Sequence, residues 1–464
     1  MLPDDALLDI FDFCADEHDL LKEEIEAWQT LVHVCRRWRS LVFGSPRRLN
    51  LRLVCAAETP ARDTLDVWPA LPLVIQCWHR SENVDNIVAG LERSNRVCQI
   101  NLRNVSSSDL EKVSAAMQVP SAELTDLSLW LDDKTEPVLP DSFLGSSAPR
   151  LRFLWFDGIS FPGLPKLLLS ATHLVALFLY PIPHSGYISP EAMLTALSSL
   201  TSLEELRLGF QSPLSCPEWA SRRPPPTTPF VLPVLTEFRF KGVCEYLDDL
   251  VARFDSPQLN RLGVTLFNQI VLDTPQFIQF IIRTPTLKAF EKAEVSYNHK
   301  DASIKLSSRT SSIDVRIRCK ELDWQFSSLE QVCTSCLPPL STLADLYIFE
   351  YIFWPQYWRD NIDNTLWSEL LHPFTGVKNL YLSEKFARRI VPALQELVGG
   401  RTTEVLPALE NIFLQGFKLS KHVHNVQEGI GHFVSTRQAI GHPIAVSGWD
   451  PWREDGITVQ EVDG

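Results

Sequence analysis

From about residue 95 onward the same apolar triplet keeps returning, with two residues between its first pair and one between its second. It runs Val97-Ile100-Leu102, Leu124-Leu127-Leu129, Leu151-Leu154-Phe156, Leu174-Leu177-Leu179, Leu203-Leu206-Leu208, Leu235-Phe238-Phe240 and Leu259-Leu262-Val264. After a break it resumes as Leu343-Leu346-Ile348, Val377-Leu380-Leu382 and Leu409-Ile412-Leu414. Successive starts before the break lie 27, 27, 23, 29, 32 and 24 residues apart. Such an interval holds one strand and one return segment. The alternation within each strand sends the leucine positions to one side. One unit cannot cover that apolar face alone, so neighbouring units must stack. The spacing therefore predicts an α/β chain built as an irregular solenoid, with helical returns such as Pro190–Leu200 and Tyr246–Phe254.

This pattern resembles a leucine-rich repeat. The asparagine that ladders between regular repeats is mostly missing, so the resemblance implies an arc or horseshoe of variable curvature. The repeat domain is expected over 96–442. Two insertions interrupt it, a proline-rich loop at 221–233 and a set of short alternating strands at 288–326, expected to project as a meander. Residues 46–95 read as a junction, with Leu71–Ile75 as the first strand. Residues 443–464 read as a polar, acidic tail with a frayed end.

The 464 residues suffice for two or three domains or one elongated repeat domain. Net charge is −14, so no global basic field favours nucleic acid. No run of 18 apolar residues suggests a spanning helix. The N-terminus lacks the basic and apolar regions of a secretion signal. Ten cysteines are scattered, mostly within apolar runs, which fits free thiols in the cytoplasm or nucleus better than a disulfide framework.

Residues 1–45 are different in kind. Pro3 suits a first helical turn, and Asp4 and Asp5 favour the positive end of a helix. Leu7, Leu8, Phe11 and Cys14 recur at helical spacing. Val34, Cys35, Trp38, Leu41 and Val42 make one broad apolar stripe if a single helix carries them. So small a module buries little by itself and leaves apolar residues for a partner or for the following domain.

The Leu2-Pro3 opening and the run Val34-Cys35-Arg36-Arg37-Trp38-Arg39 resemble an F-box, the helical module that joins a substrate receptor to the adaptor of an SCF-type cullin–RING ubiquitin ligase. The resemblance implies that some of Leu2, Pro3, Leu7, Leu8, Ile10, Phe11, Val34, Cys35 and Trp38 contact the adaptor, while Trp38 and the rest of its stripe hold the module together. On that basis, replacing Leu8 and Phe11 by Ala is expected to abolish adaptor binding. One departure is the acidic stretch between Phe13 and Leu31, longer than the family usually has. The module begins at the first residues, which leaves open whether a segment precedes it. Box, junction and irregular leucine-rich domain together resemble the fungal F-box proteins. The other reading of these residues is a helical cap on the domain behind them.

The repeat register also nominates a binding face. Between the inward positions, the central outward column reads Asn101, Ser128, Trp155, Phe178, Arg207, Arg239, Gly263, Tyr347, Tyr381 and Phe413. Its neighbours include Trp130, Phe153, Tyr180, Glu205, Glu237, Lys241, Arg261 and Phe349. Trp130, Trp155, Phe178, Tyr180, Arg207, Arg239, Tyr347, Tyr381 and Phe413 are the candidate substrate-binding residues, because Trp, Tyr and Arg dominate binding hot spots. A flanking loop or helix could instead cover the aromatics, and a register slip of one would exchange inside for outside. The aromatic-rich stretch 348–367 reads as a recognition loop or as a packed satellite core.

No catalytic constellation emerges. Cys333 and Cys336 have half a zinc site's spacing but no second pair nearby, so they read as buried thiols. His422, His424, His432 and His442 lack completing ligands. Gly429 and Gly431 lack the third glycine of a dinucleotide fingerprint. No nucleophile elbow or phosphate-binding glycine loop occurs. The expectation is therefore a non-enzyme needing no cofactor, the substrate-recognition subunit of an SCF-type ligase, with an adaptor, through it a cullin, and an unknown protein substrate as partners. The alternative is a leucine-rich interaction scaffold without ligase coupling.

Overall fold

The computed structural model describes residues 2–15, 27–46, 48–56, 61–78, 84–131, 135–213, 229–267, 274–350, 364–396, 405–415, 423–449 and 457–458. They fall into two compact units, Met1–Leu177 and Phe178–Gly464. The acidic stretch after Ala15 and most of the proline-rich loop lie outside the described residues, as do Tyr351, Phe353, Trp354, Tyr357, Trp358 and His422.

The first unit opens with three helices, α1 (Asp4–Ala15), α2 (Ala27–Val34) and α3 (Arg36–Gly44). The single stripe expected across residues 34–42 is broken at Cys35. Its backbone is extended (φ −159°) and its Sγ accepts a hydrogen bond from the Trp38 amide at 3.5 Å, so it caps α3 rather than continuing α2. Leu7, Leu8, Phe11, Val32 and Val42 are buried. Trp38 packs its ring 4.8 Å from that of Phe11. Trp28 joins the module to the chain behind it. It is buried, donates from Nε1 to the Arg52 carbonyl at 3.2 Å, and meets Trp68 edge-on at 5.3 Å.

Five parallel strands follow: β1 (Leu53–Ala56), β2 (Leu73–Cys77), β3 (Val97–Val105), β4 (Asp126–Leu131) and β5 (Phe153–Asp157). The sheet thus starts one strand earlier than the sequence suggested. β1 has four residues and no full triplet to announce it. A sixth strand, β6 (Ala176–Ile182), contains the boundary between the units.

The second unit adds β7 (Glu205–Phe210), a two-stranded side pair of β8 (Phe230–Val231) and β10 (Phe254–Asp255), and β9 (Glu237–Gly242) and β11 (Arg261–Phe267) beside β7. Then comes the inserted meander, β12 (Lys292–Tyr297), β13 (Asp301–Ser307) and β14 (Ser312–Arg318). It does not project. β14 pairs parallel with β11, β13 lies antiparallel between β14 and β12, and β12 pairs parallel with β15 (Asp345–Glu350). The meander is laid into the sheet in reverse chain order. Only its middle strand opposes the repeat direction, so β11 and β15 keep parallel neighbours.

The sheet continues through β16 (Asn379–Leu382), β17 (Asn411–Gln415) and β18 (Ala445–Trp449), with β19 (Ile457–Thr458) antiparallel at the end. The expected tail therefore begins as a sheet strand.

The inward leucine register holds: Ile100, Leu127, Leu154, Leu206, Phe238, Leu262, Leu346, Leu380 and Ile412 are all buried. Helices return the chain between strands, among them Ser107–Ala116, Pro190–Leu197, Cys244–Val251 and Pro275–Arg283. Their starts carry local signals. Ser189 Oγ accepts from the Ala192 amide with Pro190 behind it. Asp248 Oδ1 accepts from the amides of Gln276 and Phe277 at 2.8 and 2.9 Å, so one return helix caps the next.

Candidate functional site

Two surfaces carry the sequence-nominated residues. On the N-terminal module the nine divide. Leu7, Leu8 and Phe11 point into its core, and Trp38 is half-buried against them. Leu2, Pro3, Ile10, Val34 and Cys35 are exposed. Phe13 joins this exposed set and is the most open of its large apolar side chains, at 76%. Sequence reasoning passed over Phe13 because it sits off the Leu7–Phe11 stripe, and that same offset turns it outward. Arg37 ties the helix starts together, donating to the Leu2 carbonyl at 2.6 Å and to Asp4. Arg48 pairs with Asp9. Such exposed pairs each contribute little; Arg37 links α1 to α3, and Arg48 links α1 to the chain just beyond α3.

The second surface is the outward column of the strands. Within the first unit, Asn101, Ser128 and Trp155 stand in register. The early aromatic patch is already occupied from within: the Trp130 and Trp155 rings lie 4.3 Å apart, and the Arg103 guanidinium sits 4.4 Å from both Trp78 and Trp130.

Within the second unit the column runs without a break from Arg207 through Arg239, Gly263, Asp314, Lys305, Glu294, Tyr347, Tyr381 and Phe413 to Ser447. The late aromatic residues form a stack: Tyr347 to Tyr381 at 4.1 Å and Tyr381 to Phe413 at 4.5 Å, each pair of rings nearly parallel. Trp449 of β18 lies over it, 5.7 Å from Tyr347 and 5.5 Å from Tyr381. Tyr381 and Phe413 are accordingly buried, which removes them from the open surface expected of them. Alongside runs a short polar ladder: Asn411 Nδ2 donates to Asn379 Oδ1 at 2.8 Å, and Asn379 Nδ2 to Asp345 Oδ1 at 2.7 Å. The ladder is two asparagines long and ends on an aspartate.

Phe178 is also buried, under the Arg207 guanidinium at 4.3 Å. Tyr180 is exposed and lies across Gly209, where a Cβ would fall 2.0 Å from its ring. The charged middle is built on Glu237, which is buried and meets Arg207 Nη2 at 2.9 Å, Arg239 Nε at 2.7 Å and Arg261 Nε at 3.2 Å. Beside it, burial and the nearby Arg318 push the Lys241 ammonium down to about 8. An open depression of about 450 Å³ lies over this region. Arg207, Arg239, Lys241 and Arg261 line it, with Lys305 and Arg316 coming from the meander. The meander residues were missed because its place in the sheet is a long-range pairing. Their outward direction was legible, since Ile313, Val315 and Ile317 alternate with them.

Cys333 and Cys336 lie in a one-turn π-helix (Val332–Cys336), and burial pushes both thiols up, away from the thiolate that metal or redox chemistry needs. Gly429 and Gly431 lie inside the helix Val423–Ala439. Trp367 is buried against Phe326 and Phe386, at 4.6 and 5.7 Å, so that part of the aromatic-rich stretch is core. Among the described residues no group of three or more His, Cys, Asp or Glu could hold a metal, and no helix is long and apolar enough to cross a membrane.

No protein-family model matches the chain, and no curated protein matches it. Among solved structures it is similar to the leucine-rich repeat-containing protein LegL7 from Legionella pneumophila, at 10% identity and a TM-score of 0.27, over 88% of this chain and 93% of that one. The class rests on the chain's own register: parallel strands, helical returns and inward leucines, a strand–helix repeat of the leucine-rich-repeat kind.

Proposed function

We propose that the chain is the substrate-recognition subunit of an SCF-type cullin–RING ubiquitin ligase, similar to the fungal F-box proteins. The N-terminal module would dock the ligase adaptor, and through it a cullin. The strand face of the second unit would hold a protein substrate, in the cytoplasm, the nucleus or both. The chain would perform no chemistry itself; it would raise the local concentration of substrate at the ubiquitin-loaded enzyme.

One observation carries this reading. The three helices fill their own core with Leu7, Leu8, Phe11, Val32 and Val42, and still leave Leu2, Ile10, Phe13 and Val34 in solvent. A module that served only as a cap would turn its apolar side chains towards the domain it covers. Apolar side chains left outside a satisfied core suit a partner. The residues to alter are thus the outer ones. Replacing Leu8 and Phe11 would open the module's core, at about 3 kcal/mol or more for the Phe alone. Ile10→Asp with Phe13→Asp should abolish adaptor binding in a pull-down while the thermal transition stays within a few degrees of the parent. Retained binding would move the contact away from these side chains, and no binding by the parent chain would favour the scaffold reading, in which the strand face works without a ligase.

A further inference from the structure

Four outward residues at the ends of β2 to β5 alternate in kind: Trp78, Arg103, Trp130 and Asp157. The Arg103 guanidinium fills the slot between the first two rings, 4.4 Å from each. Asn101 Oδ1 accepts from its Nε at 3.3 Å, and Asn104 Nδ2 donates to the Trp78 carbonyl at 3.0 Å, so the cation and the outer ring are both tethered. Among the described residues no carboxylate pairs with Arg103; two indoles hold it.

On the other side of Trp130 the same parts recur without the cation. Asp157 stands opposite Trp130 in the register, and Trp155 lies two residues before it on the same face of β5. The Trp130 and Trp155 rings are 4.3 Å apart and tilted by 50°. Asp157 is half-buried, and burial alone pushes its carboxyl up from the usual carboxylate range. Among the described residues no cation pairs with it and no donor reaches it. Keeping a carboxylate unpaired beside indoles is costly unless a cation arrives. The chain turns next at Gly158 (φ 71°), where a Cβ would meet no atom within 4 Å, so the end of β5 opens on free space. Trp130 Nε1 is buried with no acceptor among the described residues, so this ring is placed for its faces rather than for its N–H.

We propose that Trp130, Trp155 and Asp157 form a binding site for an arginine side chain of a partner protein, a second slot of the kind that Arg103 already fills. A guanidinium is the cation that suits all three. It is flat enough to lie against an indole and offers paired N–H groups to a carboxylate. A quaternary ammonium would use the rings but carries no donor for Asp157. The rest of the face argues for a peptide rather than a free amino acid. Phe153 continues from Trp155 along β5, with ring centroids 6.2 Å apart, and gives an apolar shelf for the residues that flank the arginine. The chain's net charge of −14 favours the approach of a basic segment. The site belongs to the first unit, so it goes beyond the receptor reading of the second unit's strand face and rests neither on that face nor on the adaptor.

The test is fluorescence anisotropy with the full chain and a labelled degenerate peptide pool that has arginine fixed at its centre and no other basic residue. Matched pools carry lysine, trimethyllysine or the uncharged citrulline at that position. The arginine pool should bind at least tenfold tighter than the citrulline pool, and tighter than the lysine pool of equal charge. Asp157→Asn should cut the arginine preference about tenfold and leave the thermal transition at pH 7 unchanged or raised, because it removes a buried charge that has no partner. A carboxylate with only a structural role would lower that transition when lost. Glu111→Gln, at an exposed position on the helix Ser107–Ala116, changes the net charge equally and should leave binding as it was. Trp155→Leu should weaken the arginine pool and leave the citrulline pool nearly unmoved. Equal binding of arginine and lysine pools, or a preference that survives Asp157→Asn, overturns the proposal. So does tightest binding of the trimethyllysine pool, which would make the site a quaternary-ammonium cage, or equal competition by N-acetylarginine amide, which would assign it to a small molecule. Adaptor pull-down with the Asp157→Asn chain is expected to match the parent, which separates this result from the fate of the ligase reading.

Discussion

Glu237 is buried with three guanidinium groups around it. Removing its charge leaves those groups to repel one another across adjacent strands, softened by the exposure of Arg239 and Arg261. Glu237→Gln should therefore destabilise the second unit by about 2 kcal/mol, read as a lower denaturant midpoint with unchanged slope; no change would mean the arginines hold themselves apart. Lys241 works in the opposite sense. Its folded value is pushed down to about 8 from 10.5, so between those values the unfolded chain holds a proton that the folded chain has lost, and stability rises with pH. The penalty for burying the ammonium is full below pH 8, fades between 8 and 10.5, and is gone above that window. Lys241→Met should raise the melting temperature at pH 7, with the gain shrinking as pH climbs through that window. A gain independent of pH would assign the effect to packing alone. At this scale the sequence was partly legible. Register alone nominated Arg207, Arg239, Glu237 and Lys241. It could not say that Tyr381 and Phe413 are covered, because the Trp449 that lies over their stack comes from a strand whose Ala-Val-Ser-Gly-Trp sequence carries no repeat signature.

At the scale of elements, the meander is the part most easily misread. Its three strands alternate clearly, and their positions were legible from Val295, Ile304 and Val315. Their place between β11 and β15 was not, because pairing partners far apart in the chain leave no local mark. The consequence is mechanical. If the meander were an appendage, breaking it would cost only its own pairing. Laid into the sheet, it is the bridge between the two groups of repeats of the second unit. Ile304→Pro in the middle strand removes a donor and a buried side chain, and should cost about 3 kcal/mol or more. The loss should appear as a lowered thermal transition of the whole unit. A small separate transition with the main one unmoved would show the meander to be independent. The N-terminal helices make a related point. One apolar stripe was legible across residues 34–42, but the hydrogen bond from the Trp38 amide to Cys35 Sγ divides it into two helices. The residues before the break, Val34 and Cys35, thereby face solvent.

For the whole molecule, what matters is the division of labour between an outward apolar module at one end of the chain and a charged strand face later in it. Leucine spacing foretold the repeat because burial of one face is a periodic demand, and every unit must meet it in the same register. The helices of the N-terminal module were legible from their apolar spacing, and the structure divides the residues of that segment between core and surface. The proposed receptor role requires that this module join the chain to a ubiquitin-ligase adaptor. The most direct measurement is light scattering on a size-exclusion column with the purified full chain and the purified adaptor. A one-to-one complex that is lost on Ile10→Asp with Phe13→Asp is the predicted result. Two separate peaks for the unaltered chain and adaptor would contradict it and leave a leucine-rich interaction scaffold as the working description.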